Sequence, residues 1–386
     1  MSKKILFFFP ENPFSNRAGN VTRAKTTLTI LKKLGHRIDL VGVEDIYREQ
    51  KDSTAVDTNI VDNLFLIRQR PPKNKTSFDY WQHKFSKMYQ KPNEYNVALT
   101  AFAKKEFVNL FLAKKYDAVV INYEFWTGLI EHAAMKNTLK IIDTHDWITL
   151  NEFYKNKKLD IGKRFNEEIN NLSKFDKIIT ISEDENTVFK RFLENKVINI
   201  PPSFISHFNH HLDKKYDLIF VGSENYFNIQ SMQWFFKNVY HLLPENINII
   251  IIGRICKHLE KRKNVTLIEF AESLEQYYHQ SKIAICPMLE GTGIKIKVIE
   301  ALSYGLPVVG TERAIDGFSS KTKNGCLIGN SPEVFRDNIL SLLQNEEYYV
   351  KMSHEVKEYF IDHFSEEKAI EKWRNIIISS ITQTVS

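Results

Sequence analysis

The sequence predicts an α/β protein made of two doubly wound units, and three observations carry that reading. Short apolar, β-branched runs alternate with longer helix-patterned segments, as parallel strands joined by crossover helices do. The alternation stops at Pro201-Pro202-Ser203 and restarts at Leu218. The chain has 386 residues, too many for one ordinary core when a domain holds roughly 100–200.

In the first series the expected strands are residues 4–9, 37–43, 64–68, 118–122, 140–143, 177–181 and 196–200. Helical patterns lie between them, for example over 21–34 and 96–115. In the second series the strands are 218–221, 247–252, 265–269, 283–287 and 307–310, with helices near 228–242, 274–281 and 297–304. Two consecutive prolines continue neither a strand nor a helix, so Pro201-Pro202 opens the linker, which runs on to Tyr216. Two such units form a crevice at the carboxyl edges of their strands, where open α/β sheets bind ligands.

Composition narrows the function classes. Hydrophobic residues make up 43% and charged residues 26%, the balance of a soluble globular protein. No apolar run of about 18 residues is present, so no membrane-spanning helix is expected. Met1-Ser2-Lys3-Lys4 followed by Ile5-Leu6-Phe7-Phe8-Phe9-Pro10 mimics a signal peptide, but the apolar run is too short; it reads as a buried first strand. Cys256, Cys286 and Cys326 are widely spaced and fit a reducing cytoplasm. A net charge of +6 permits contact with phosphates or an anionic membrane surface. With no zinc-finger spacing and no Gly-rich aromatic RNA motif, nucleic acid is not the expected partner.

Two segments fall outside the α/β rhythm. His207, His210 and His211 invite a metal reading, but linker histidines beside lysines are expected to be solvated, and no metal site is assigned. From 70 to 95, basic residues (Arg70, Lys73, Lys75, Lys84, Lys87, Lys91) interleave with Phe78, Tyr80, Trp81, Phe85, Tyr89 and Tyr95. That pattern fits a loop and helix packed on the first domain. It equally fits an aromatic and basic platform for an amphiphilic acceptor or a membrane headgroup region.

The stretch that carries chemistry runs Cys286-Pro287-Met288-Leu289-Glu290-Gly291-Thr292-Gly293-Ile294-Lys295-Ile296-Lys297-Val298-Ile299-Glu300-Ala301. A strand ends at Pro287, a glycine-bearing loop turns, a helix starts near Lys297, and Gly305 ends it. Unpaired backbone N–H groups and the helix dipole at such a start favour an anion, and two lysines there strengthen the case for phosphate. Glu300 lies three residues beyond Lys297, on the same helix face. A carboxylate at that depth can accept two hydrogen bonds from a ribose diol. The plain alternative is a Lys297–Glu300 pair on a solvated surface.

This stretch resembles the donor site of retaining GT-B glycosyltransferases of family 4. Other landmarks follow in order: Gly19 in the loop after the first strand, Ile142-Asp143-Thr144-His145-Asp146, Ile179-Thr180-Ile181-Ser182-Glu183, Ile200-Pro201-Pro202, and Leu218-Ile219-Phe220-Val221-Gly222-Ser223 with Asn228 beyond. Two positions depart from the pattern. Thr292 stands where many members carry the first glutamate of Glu-x7-Glu, with Glu290 close but out of register, and Ser223-Glu224-Asn225 replaces the usual Arg…Lys pair. Lys295, Lys297 and Arg254 are then the expected source of positive charge.

The resemblance implies a GT-B fold with two Rossmann-like domains: 1–205 on the acceptor side, 206–364 for the nucleotide sugar, and a helix from 365–386 crossing back. It implies a metal-independent, retaining, hexosyltransferase-like enzyme with no cofactor. The donor is a nucleoside-diphosphate sugar carrying UDP or GDP, and the acceptor a glycan, lipid-linked or protein acceptor. The expected location is cytoplasmic, with peripheral contact at the inner membrane face. His145, Lys295, Lys297 and Glu300 are the expected catalytic residues. Gly19, Gly222, Ser223, Arg254, Phe270, Glu290, Gly291, Thr292, Gly293 and Ile294 are the expected donor contacts. Two other functions fit the same residues: a nucleotide-sugar 2-epimerase and a non-catalytic nucleotide-sugar-binding protein.

Overall fold

The run Ile5-Leu6-Phe7-Phe8-Phe9 is wholly shielded from solvent at every position, as a central strand must be when helices cover both faces of a parallel sheet. The structure is a computed structural model, which describes residues 2–15, 19–49, 57–89, 99–208, 213–291 and 293–379. The chain divides into two compact units, one of Met1–Ile181, Glu185–Ile200 and Ile370–Ser386, the other of Ser182–Asp184 and Pro201–Ala369.

The first unit contains strands β1 (Lys4–Phe8), β2 (Arg37–Val43), β3 (Asn63–Ile67), β4 (Ala118–Asn122), β5 (Leu139–Asp143), β6 (Lys177–Thr180) and β7 (Val197–Asn199). They form one sheet in the order β3-β2-β1-β4-β5-β6-β7, with every neighbouring pair parallel. Its helices are α1 (Gly19–Lys33), α2 (Glu44–Glu49), α3 (Phe78–Tyr89), α4 (Ala101–Lys114), α5 (Ile148–Lys155) and α6 (Ile161–Leu172), with α7 (Glu183–Leu193) completing the set. The strand order reverses between β1 and β4, which places a switch point beyond Phe8 and Asn122.

The second unit contains β8 (Tyr216–Val221), β9 (Ile249–Ile252), β10 (Val265–Ile268), β11 (Ser281–Cys286), β12 (Val308–Gly310) and β13 (Cys326–Ile328). The order is β10-β9-β8-β11-β12-β13, again all parallel. Helices α8 (Tyr226–Trp234), α9 (Glu275–His279), α10 (Ile296–Ser303), α11 (Pro332–Gln344) and α12 (Glu346–His363) connect and cover it. Side chains alternate between two cores: Ile219, Ile250 and Ile252 enter one, Leu218, Phe220, Ile249 and Ile251 the other. That is the period-two signature of a sheet buried on both faces. The switch point of this unit lies between β8 and β11.

The last helix, α13 (Glu366–Ser379), starts in the second unit and ends in the first. Trp373, Ile376 and Ile377 are buried, and Lys372 Nζ donates to the Asn199 carbonyl at 2.9 Å. No described helix is long and apolar enough to cross a membrane.

Two expected helices differ, and one strand adds to the expected set. The helix at 96–115 starts at Ala101 because Thr100 Oγ1 accepts from the Ala103 N–H at 3.1 Å and caps it. The helix at 228–242 stays α-helical only to Trp234, widens into a π turn over Phe235–Val239 and tightens into a 3-10 turn over Tyr240–Leu242. Strand β13, three residues at a sheet edge, is too short to stand out from the sequence. Residues 90–95 of the aromatic and basic segment, and His210 and His211 of the linker, lie outside the described residues.

Candidate active site

In the second unit the carboxyl ends of β8, β9, β10 and β11 deliver most of the sequence-predicted residues to one sheet edge. Gly222 and Ser223 follow β8, Arg254 follows β9, Phe270 follows β10, and the loop 287–295 follows β11. Two backbones meet closely there: a side chain at Gly253 would lie 2.2 Å from the Gly222 carbonyl oxygen. Only glycine allows that approach, and Gly253 also sits at φ +112°. Arg254, Phe270, Ser223 and Glu290 are exposed, with Phe270 at 80%.

The loop 287–295 is shaped from inside. Gly291 and Gly293 take φ +105° and +72°, and open space lies where a side chain at Gly293 would stand. Lys295 is buried beneath them. Its ammonium donates to the Gly293 carbonyl at 2.7 Å and to the Gly291 carbonyl at 3.4 Å, and lies 3.6 Å from an Asp316 carboxylate oxygen. Burial lowers the Lys295 pKa, the neighbouring carboxylate opposing it. Ile294 packs close to Gly317. Thr292 lies outside the described residues.

Helix α10 follows at once, and among the described residues no side chain caps its N-terminus. Lys297, in its first turn, donates from Nζ to Asn228 Oδ1 at 2.5 Å and lies 4.3 Å from the centre of the Phe220 ring. Burial pulls its pKa down to about 8. Asn228 is itself fixed, since its Nδ2 donates to the Ser223 carbonyl at 2.9 Å. Ser223, Asn228 and Lys297 thus form one hydrogen-bonded group across the β8–β11 switch point. Sequence reasoning takes Asn228 only as a landmark. The signal for its role is its place in the first turn of the helix after β8, capped by Asn225 Oδ1 at 2.9 Å.

Glu300 and Lys297 are not an ion pair. Glu300 Oε2 accepts from the Tyr278 hydroxyl at 3.0 Å, and burial raises its carboxyl pKa. Spacing of three residues put both on one helix face, but their side chains take different partners. The solvated-pair reading of these two residues is therefore corrected.

In the first unit, His145 follows β5 with φ +62° and is 3% exposed. Its Nε2 lies 2.6 Å from Asn122 Oδ1, and the Asn122 amide is oriented by donating from Nδ2 to the Phe8 carbonyl at 2.7 Å. Asn122 Oδ1 only accepts, so Nε2 carries the proton and Nδ1 presents a bare lone pair. Nδ1 has no partner. The ring stacks on Tyr123 at 4.5 Å, and burial lowers its pKa to about 4. Beside it the buried Arg23 guanidinium binds both Asp143 oxygens at 2.9 and 3.0 Å and the Ile200 carbonyl at 2.9 Å, a clamp not singled out from sequence. Gly19 is the first residue of α1.

Residues 215–345 match the family described as glycosyl transferases group 1. The chain is 24% identical over 380 residues to an uncharacterised 44.6 kDa protein in the cps region of Klebsiella pneumoniae, covering 89% of this chain and 91% of that one. It is 26% identical over 220 residues to an uncharacterised glycosyltransferase of Haemophilus influenzae, covering 52% of this chain and 61% of that one. Among solved structures it resembles sucrose-phosphate synthase from Thermosynechococcus elongatus (TM-score 0.68, 12% identity, 99% of this chain and 100% of that one). It also resembles HepE from Anabaena in complex with UDP-glucose (TM-score 0.65, 11% identity, 99% and 100%). The two parallel-sheet units are those of the GT-B fold.

Proposed function

From the match of residues 215–345 to the group 1 glycosyltransferases and the GT-B fold, we propose that this chain is a retaining, metal-independent glycosyltransferase of family 4. It moves a sugar from a nucleoside-diphosphate donor, UDP or GDP, to a glycan, lipid-linked or protein acceptor in the cytoplasm. The observation that carries the reading is the Lys297 ammonium beside an uncapped helix start and an open glycine loop at the β8–β11 switch point.

In the transfer, the bond between the anomeric carbon and the diphosphate oxygen breaks as the acceptor hydroxyl oxygen bonds to that carbon on the same face. The leaving phosphate takes the hydroxyl proton. Charge grows on the diphosphate while the sugar becomes oxocarbenium-like. Lys297, the exposed Arg254 and the N-terminal end of the α10 dipole are the preorganised positive groups for that charge. Lys295 holds the loop carbonyls inward, so its part is to shape the loop. Glu300 takes the ribose diol. Gly222, Gly291, Gly293 and Ile294 offer backbone contacts, with Thr292 and Glu290 as further donor contacts. Backbone groups near Phe270 meet the base. In the first unit, neutral His145 accepts a hydrogen bond at Nδ1 from a sugar or acceptor hydroxyl, and Gly19 lets a ligand approach α1.

A thermal-shift screen against UDP-, GDP-, ADP- and CMP-sugars tests the reading, because a ligand that binds only the folded state raises its melting temperature. The Anabaena structure holds UDP-glucose, so UDP-sugars come first. The expected result is a shift with one base class and, with acceptor added, transfer with retained configuration. No shift with any donor, or free epimerised donor without acceptor, would overturn it.

A further inference from the structure

Helix α9 is five residues long, and its ends, Glu275 and His279, stand one turn apart on the same face, with His279 Nε2 3.9 Å from Glu275 Oε1. His207, from the stretch before β8, faces them. Its own N–H donates to the Ser303 carbonyl at 2.8 Å, which fixes the backbone it hangs from. The three side chains each offer one ligand atom, and these atoms lie within 4.8 Å of one another.

The surroundings orient the two rings. Tyr304 stacks flat on His207 (4.6 Å, 11°) and stands edge-on to His279 (5.0 Å, 81°). Lys214 Nζ donates to the His279 and Ser281 carbonyls at 2.9 and 2.8 Å, which anchors the end of α9. His279 is buried and Glu275 exposed, so the group has one closed side and one open side. An open groove lined by Phe270, Ala271, Ser273 and Gln276 reaches Glu275 and His279 and gives a solute a way in.

We propose that His207, Glu275 and His279 bind a divalent transition metal, with zinc the favoured ion. Two imidazoles and one carboxylate, with a fourth position for water, are a zinc donor set. Imidazole selects zinc and its transition-metal neighbours over magnesium and calcium. Bond lengths of roughly 2.0–2.2 Å require ligand atoms about 3.4 Å apart in a tetrahedron. Rotation of the exposed Glu275 side chain shortens its 3.9 Å distance to His279 Nε2, and a small turn of the half-buried His207 ring brings in the third ligand. The bound ion ties the segment before β8 to α9. None of its three ligands is a residue assigned to the donor or the acceptor, although the groove that leads to it shares Phe270 with the donor site.

The test is calorimetric titration of untagged, chelator-treated protein with zinc, in the absence of any nucleotide sugar, repeated with cobalt to read the visible absorption of a four-coordinate ion. The expected result is one equivalent bound below about 10 micromolar with a rise in melting temperature. Glu275→Gln and His207→Ala should each weaken binding at least about tenfold. Glu275 is exposed, so Glu275→Gln should leave the metal-free melting temperature unchanged and keeps the test clear of misfolding. Absence of zinc binding by the unaltered protein, or unaltered binding in both variants, would overturn the proposal.

Discussion

Lys297 Nζ donates to Asn228 Oδ1 at 2.5 Å, and Asn228 in turn donates to the backbone of Ser223. One side chain thereby links the loop after β8 to the first turn of α10. Burial lowers the Lys297 pKa to about 8, so this cation titrates close to the working pH of an enzyme. If Lys297 meets the diphosphate, kcat/KM, which reports the free enzyme, falls as pH rises through about 8. Lys297→Arg abolishes that alkaline limb because arginine does not titrate there. Lys297→Ala lowers kcat more than it raises the donor KM, since its charge matters most as the leaving group separates. Asn228→Ala removes a hydrogen bond to the charged form and moves the limb to lower pH. A limb unchanged in Lys297→Arg would exclude Lys297 from the donor site.

Glu300 accepts from Tyr278, which leaves its second carboxylate oxygen for a ligand. Glu300→Gln keeps the size but weakens charge-assisted hydrogen bonds of about 1.5–3 kcal/mol each, so donor affinity falls roughly tenfold or more. Tyr278→Phe leaves the charge in place and costs donor affinity far less. Calorimetry with the donor found by the screen compares the two. Equal affinity in Glu300→Gln and unaltered protein would leave Glu300 with the Tyr278 contact alone.

The strands and the glycine loop are legible from sequence because they rest on local patterns. Strand β2 and strand β4 match their expected bounds, and helix α10 starts one residue before Lys297. Gly305, with φ +71°, lies at the expected helix end. Partner choice is what sequence does not specify. The spacing of Lys297 and Glu300 is compatible with a mutual pair, and only the positions of Asn228 and Tyr278, set by other strands, decide otherwise. The Arg23–Asp143 clamp joins residues 120 apart in the chain; Asp143 lies in the 142–146 landmark, but nothing in the sequence marks Arg23 as its partner. The linker histidines invite a metal reading, but that His207 meets Glu275 and His279 of α9 is decided by the fold and not by the sequence around it.

Helix α3 exposes Phe78, Trp81 and Phe85 at 78%, 42% and 60%, at spacings of three and four that share one face. Lys84 lies 5.1 Å from the Trp81 ring, and an Asp79–Lys105 ion pair at 2.9 Å joins α3 to α4. An exposed apolar stripe with cations beside it fits an amphiphilic acceptor or a headgroup region. A Phe78→Ser/Phe85→Ser variant should melt within about 0.5 kcal/mol of the unaltered protein, since both residues are exposed. Donor-induced thermal shift should persist, while transfer to an amphiphilic acceptor and flotation with anionic vesicles decline. Unchanged transfer and flotation would reduce α3 to a packing element.

His145 is neutral with its proton on Nε2, and that state has consequences for both stability and chemistry. Its folded pKa of about 4 lies below the unfolded value of 6.5. Between those values the unfolded chain binds more protons, so stability rises with pH across this window and is lost as pH falls through it. The full difference is on the order of 3 kcal/mol. His145→Ala removes this acid sensitivity but leaves Asn122 Oδ1 buried without its donor, at a cost of about 1–3 kcal/mol at neutral pH. His145→Asn tolerates the left-handed backbone at φ +62° better than alanine does, so it separates strain from chemistry. Both variants should fold and bind donor with little change; His145→Ala should lose kcat because it offers no acceptor in the place of Nδ1, whereas His145→Asn, whose Oδ1 is attached to Cγ as Nδ1 is, should keep part of it. Nitrogen NMR of the labelled imidazole should show the Nε2–H tautomer unchanged from pH 8 down to about 5. A histidine that protonates near 6.5, or normal turnover in both variants, would remove Nδ1 from the reaction and leave the Asn122 hydrogen bond and the Tyr123 stack as the whole of its role.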